Sequence, residues 1–140
     1  MDTDAYGNLY VSDRSNGVIQ IFDSKLCFIK LLDLGGIKLN RPASVAVLEN
    51  NTGRFIAILE RKTNLKSEVN IYQLSKDGLS IKNDNYTTFD HLNDSQDMIK
   101  APDQSIFIAD TLNRRIINKI PRRTNSRSLY VGRSKDLSKL

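Results

Sequence analysis

One spacing constrains this chain more than any other. Tyr10-x-x-Asp13-x-x-Asn16-x-x-Ile19 returns as Phe107-x-x-Asp110-x-x-Asn113-x-x-Ile116, with an aromatic, an Asp, an Asn and an Ile at matching steps. Tyr10 and Phe107 are 97 residues apart, and a weaker match at Ile56 divides that interval into 46 and 51. Self-similarity at a fixed period means that one structural unit repeats and that each copy buries its flank against the next. In each copy the aromatic is expected to pack between neighbouring sheets. The Asp and Asn are expected to bond backbone groups in a turn, from which the Ile returns to the core. These eight residues therefore read as a structural signature.

The segments around the signature are short and β-prone. Asn8–Asp13, Val18–Phe22 and Leu26–Leu32 form a first set, separated by Ser15-Asn16-Gly17 and Asp23-Ser24-Lys25. Gly35-Gly36 ends it, and Pro42 opens a second set: Ala43–Leu48, Phe55–Leu59, Val69–Leu74 and Leu79–Ile81. Asp97–Lys100, Ser105–Ala109, Arg115–Ile120 and Ser128–Val131 make a third. No segment carries the sustained i, i+3, i+4, i+7 stripe of a long amphipathic helix. A repeat of about 48 residues with four strands is the size of a propeller blade. The expected fold is all-β, an incomplete β-propeller arc of about three four-stranded antiparallel blades. It divides into blade 1 at about 2–34, lacking its first strand, blade 2 at about 42–90, blade 3 at about 95–132 and a basic tail at 133–140. Eleven strands result. Known propellers have four to eight blades, so such an arc leaves an apolar blade face and unpaired edges at each end. Missing blades or self-association are expected to cover them.

Composition removes several classes of function. The longest apolar run is Phe55–Leu59, against the roughly 20 residues of a membrane-spanning helix, and the acidic start does not resemble a secretory leader. Triplets of the N-x-[ST] type at Asn50, Asn85 and Asn93 do not argue for secretion, and a cytoplasmic setting is expected. One Cys and one His cannot build a zinc site from the usual ligands. Cys27, beside Phe28 and Ile29, reads as a small buried hydrophobe. His91 lies in a polar stretch with no G-x-S-x-G nearby and reads as loop or strand-end surface. Asp2, Asp4, Gly7, Asn8 and Asp13 fall on a calcium-loop spacing, but Tyr6 and Asp13 stand where that loop needs an oxygen ligand and a bidentate Glu. No catalytic, cofactor or metal residue is assigned.

Charge is the one feature that points to a partner. Residues 1–100 carry 12 Lys/Arg against 13 Asp/Glu, whereas residues 101–140 carry 9 against 3, so the whole excess of +5 lies in the last 40 residues. Arg114, Arg115, Lys119, Arg122, Arg123 and Arg127 are the candidate partner-binding or RNA-binding residues, with Tyr130 interleaved.

Gly7-Asn8-Leu9-Tyr10-Val11-Ser12-Asp13-x-x-Asn16, continuing to Ile19-Gln20-Ile21-Phe22-Asp23, resembles the NHL repeat. Ser105–Asp110 with Asn113, Arg115 and Ile116 is similar to it again, and Arg41–Val47 resembles the proline-led first strand of a following repeat. The middle unit departs from the pattern. Glu60 replaces the Asp, and nine residues separate Glu60 from Val69 where six separate Asp13 from Ile19, so its loop between second and third strands is expected to be longer by about three. The resemblance implies a non-catalytic interaction segment that binds protein, as in tripartite-motif and RING-type ubiquitin ligases. It also implies two alternatives: RNA binding through a basic propeller face, and a fragment of a propeller hydrolase or lyase. The last of these needs clustered carboxylates or histidines that the sequence does not offer.

Overall fold

The computed structural model of the chain describes residues 1–119 and 128–133, the side chains of 83–86 and 128–133 excepted. Its strands form three separate four-stranded antiparallel sheets. Sheet I contains β1 (Asp2–Thr3), β2 (Leu9–Asp13), β3 (Val18–Phe22) and β4 (Phe28–Leu31). Sheet II contains β5 (Pro42–Asn50), β6 (Gly53–Arg61), β7 (Lys66–Leu74) and β8 (Ile81–Asn93). Sheet III contains β9 (Met98–Lys100), β10 (Ile106–Asp110), β11 (Arg115–Lys119) and β12 (Ser128–Arg133). Strands follow chain order within each sheet, and the first strands β1, β5 and β9 meet one another. Lys100 on β9 fastens that meeting point: its ammonium reaches Asp2 at 3.0 Å, the Val47 carbonyl at 2.9 Å and the Thr3 carbonyl at 3.3 Å. The fold is all-β, an incomplete propeller arc of three blades.

Period-2 alternation explains the packing. In sheet II, Val45, Val47, Ile56, Ile58, Tyr72 and Leu74 join Tyr10, Ile19 and Ile21 of sheet I in one core. The intervening Ala46, Leu48, Phe55, Ala57, Leu59, Val69 and Ile71 join Met98, Ile106, Ile108 and Ile117 of sheet III in a second. Sheet II is buried on both faces, which is why Phe55–Leu59 is apolar without interruption. Sheets I and III are each buried on one face and alternate accordingly.

Several expectations are corrected. Sheet I has a first strand, the two-residue β1, which pairs Asp2 with Tyr10 and Thr3 with Leu9, so the described residues form twelve strands. Ile56 is not the counterpart of Tyr10. Tyr10 faces the following sheet, whereas Ile56 faces the preceding one, and the position three before Glu60 that faces forward is Ala57. The small Ala side chain hid the match. The link between β6 and β7 is no longer than its counterparts, since residues 14–17, 62–65 and 111–114 make the three connections. The extra residues of sheet II lengthen the ladder instead: Glu60↔Glu68 answers Asp13↔Val18, and Arg61↔Ser67 is added beyond it. Finally, β8 runs for thirteen residues where only its start was legible. It lies along β7 with three register shifts, so its few buried apolar residues, among them Phe89 and Leu92, lack the alternation that marks a strand in sequence.

A candidate interaction surface at the loop end of the arc

The signature residues occupy equivalent places in sheets I and III, and the acid of each copy lies on the backward face of its sheet, which for sheet III is the face packed on sheet II. In sheet III, Asp110 is fully buried and accepts hydrogen bonds from the Asn93 amide at 2.6 Å, Asn113 Nδ2 at 2.8 Å and Arg115 Nε at 2.6 Å. Asn93 ends sheet II, so this carboxylate ties the segment between two sheets to the second of them. Glu60 does the same in sheet II, accepting the Asn40 amide at 2.6 Å and Asn70 Nδ2 at 3.1 Å. Asp13 in sheet I bonds only its own turn and the strand that follows it among the described residues: the Asn16 amide at 3.1 Å, Asn16 Nδ2 at 2.8 Å and, on β3, Gln20 Nε2 at 3.0 Å. The Asn16 bonds hold the Asp13 carboxyl below its ordinary value.

Tyr10 packs between sheets as expected, fully buried, and its hydroxyl donates to the Gly78 carbonyl at 2.9 Å and to Asp4 at 3.3 Å. Phe107 and Ile116 face away from sheet II instead, on the far side of sheet III from the described sheets. Asp4 is held by the Arg54 guanidinium at 3.0 Å and by the Tyr6 and Asn8 amides at 2.9 Å, and Asp2 by Lys100 and the Val47 amide. The carboxylates on the calcium-loop spacing are thus committed to cations and backbone donors of the fold. Cys27 is exposed, not buried: it falls in the β3–β4 turn, where its amide bonds Asp23, and not in the strand.

Of the basic candidates, Arg114, Arg115 and Lys119 lie among the described residues, and Arg122, Arg123 and Arg127 lie outside them. Arg115 is spent on Asp110 and on the His91 carbonyl at 3.4 Å. Lys119 lies 4.7 Å from the centre of the Phe89 ring. Burial, helped by the nearby Arg115 charge, lowers its pKa. Arg114 remains exposed, at a left-handed turn position with φ of 52°.

Arg114 adjoins Asn113, which lines a cleft that sequence reasoning missed. This cleft, of about 420 Å³, opens where the β6–β7 loop of sheet II meets the β10–β11 loop of sheet III, lined by Lys62, Lys66, Glu68, Asp90, His91 and Asn113. His91 sits at a bulge of β8 with φ of 59°, its side chain in solvent beside Asp90 at 3.2 Å, and Asn113 donates to its carbonyl at 3.2 Å. Lys62 pairs with Glu68 at 2.9 Å and Glu60 at 3.4 Å. Burial pulls its pKa down, but these carboxylates outweigh burial and leave it raised. Asp94, next in the chain to the lining Asn93, pairs with Arg61. Cations (Lys62, Lys66) and carboxylates (Glu68, Asp90) therefore share an opening that includes the apolar Leu92. Of this lining the sequence had singled out His91, as loop or strand-end surface, and Asn113, as a signature residue, but not as neighbours. His91, Asp90 and Asn113 come from segments that only the sheet packing brings together.

No protein-family model matches this chain, and no curated protein matches it. The class that the fold defines is a three-bladed propeller arc. Among the described residues no helix is long and apolar enough to cross a membrane.

Proposed function

We propose that this chain is a protein-docking segment of an NHL-type propeller, and that it receives a peptide segment of its partner in the cleft between sheets II and III. The observation that carries this reading is the mixed charge of the cleft. A phosphate backbone needs several unpaired cations that track it. Here Lys62 is paired with Glu68 and Glu60, Arg115 with Asp110, and Asp90 lines the same opening. A peptide of mixed charge with an apolar anchor matches such a lining better than RNA does. Loops at one end of a rigid scaffold are also where ligands are commonly bound. The segments 7–16 and 105–116 support the NHL assignment by their resemblance alone. In a ubiquitin-ligase context such a segment would hold the protein to be modified. The exposed thiol of Cys27 suits the reducing cytoplasm.

A displayed library of random peptides is the probe. Selected peptides are expected to bind the chain, and Lys66→Glu together with Arg114→Glu to weaken them by at least about tenfold. Selection that yields no binder, or binders indifferent to both substitutions, rejects the reading. Titrating a single-stranded RNA over a range of salt discriminates the alternative: tight binding whose salt slope falls in the Arg114→Glu variant would replace protein docking with RNA binding.

A further inference from the structure

Among the described residues, sheets I and III each leave one face uncovered; these two faces are unlike each other, and each matches a face already used inside the arc. The forward face of sheet I offers Tyr10, Ile19 and Ile21 to sheet II. The forward face of sheet III carries their counterparts Phe107 and Ile116, with Ile99 63% exposed and a shallow groove of about 200 Å³ beside them. The backward face of sheet III offers Ile106 and Ile108 to sheet II, and that of sheet II offers Ile56 and Ile58 to sheet I. On the backward face of sheet I the same positions are Leu9 and Val11. Alongside them stand Phe22 and Phe28, whose rings meet edge to face at 5.8 Å, and Leu31, 44% exposed. Asp13 ends this face where Glu60 and Asp110 end theirs. The bare faces are therefore the two halves of one further junction of the kind seen twice within the chain.

We propose that two copies of this chain associate head to tail, sheet III of each on sheet I of the other, and close a six-sheet ring. Three sheets per copy make half of such a ring, and six lies within the known range of four to eight. A two-fold axis along the ring axis satisfies both junctions at once and leaves neither face open, so the assembly stops at two copies. Contact between like faces would set forward residues against forward residues, a pairing that neither internal junction uses. The proposal stands on sheet geometry and does not involve the loop-end cleft.

Light scattering on the 140-residue chain across a dilution series is expected to give twice the 15.9 kDa chain mass. Ile99→Glu on one face and Leu31→Glu on the other are each expected to shift it to the single-chain mass, with unchanged circular dichroism, because both side chains are already well exposed. Mixing the two variants is expected to restore the double mass, since one of the two junctions is then between unaltered faces. Phe107→Glu and Val11→Glu repeat the test nearer the centre of each face. A single-chain mass for the unaltered chain at every concentration overturns the proposal and leaves the faces to other sheets. So does one variant that remains paired while the other dissociates, which marks contact between like faces, and so does open-ended growth. If neither pair of variants dissociates, the faces are not the interface. Peptide capture by the cleft is expected to survive Ile99→Glu, which separates this outcome from that of the docking reading.

Discussion

Tyr10 has a hydroxyl where its counterpart Phe107 has none, and the difference follows from what each ring meets. Tyr10 reaches across to sheet II, where the β7–β8 turn presents the Gly78 carbonyl and Asp4 is held by Arg54, so a buried phenol finds partners. Gly78, at φ of +74°, has no room for more: a Cβ there would lie 2.5 Å from the Tyr10 oxygen. Burial, then the Asp4 charge, raises the Tyr10 pKa far above its ordinary 10.0. A group whose folded pKa is raised stabilises the fold fully below its unfolded pKa, and that stability drains away as pH climbs past it. Thermal unfolding is therefore expected to show a stability loss beginning near pH 10 that Tyr10→Phe removes. At neutral pH the same substitution is expected to cost about 1 kcal/mol, the net worth of one buried hydrogen bond. Unfolding melts at pH 7 and pH 11 check both signs, and an identical alkaline loss in the variant would clear Tyr10 of responsibility.

At the scale of strands and turns, the acid that ends the second strand of each sheet has a role its sequence neighbours do not disclose. Asp110 and Glu60 receive the amide of the segment arriving from the previous sheet, while Asp13 bonds its own turn and the strand that follows it. Asp110→Asn is therefore expected to destabilise the fold by about 2–4 kcal/mol, since it weakens a fully buried acceptor of three strong bonds and leaves Arg115 without its counter-charge. Asp13→Asn is expected to leave the denaturant midpoint almost unchanged. Equal effects in parallel urea titrations would mean that the acid serves only its local turn.

The motif spacing made the Asp–Asn turn legible, because Asn16 and Asn113 bond the acid three residues before them. The arriving amide was not legible, since Asn93 and Asn40 lie in segments with no pattern of their own. For the same reason Arg115 and Lys119 looked like free cations. Their partners, Asp110 and Phe89, are supplied by folding, and Phe89 belongs to a strand whose polar sequence conceals it.

Across the whole molecule, sheet II is the keystone, because each of the two cores uses one of its faces. Ile58 points to sheet I and Ile71 to sheet III, both fully buried. Truncating either to Ala is expected to cost about 2–5 kcal/mol. Although the two sites lie in different cores, each loss is expected to shift a single cooperative transition, monitored both by circular dichroism and by exchange of amides in sheets I and III. Separate transitions for the two outer sheets would show that the blades fold independently.

Strand character, turn positions, the repeat and its four-strand unit were set by local chemistry. Alternating β-branched residues, Gly and Asn at turns and a recurrent aromatic act within a few residues of one another, so they can be read along the chain. Which face of each strand meets which neighbour was decided only in three dimensions. A one-residue offset, as between Ile56 and Ala57, sends a side chain to the opposite core and leaves the local pattern intact. The same holds for the loop-end cleft and the two unlike outer faces: they are made of residues far apart in sequence, whose proximity is set by sheet stacking and by nothing local.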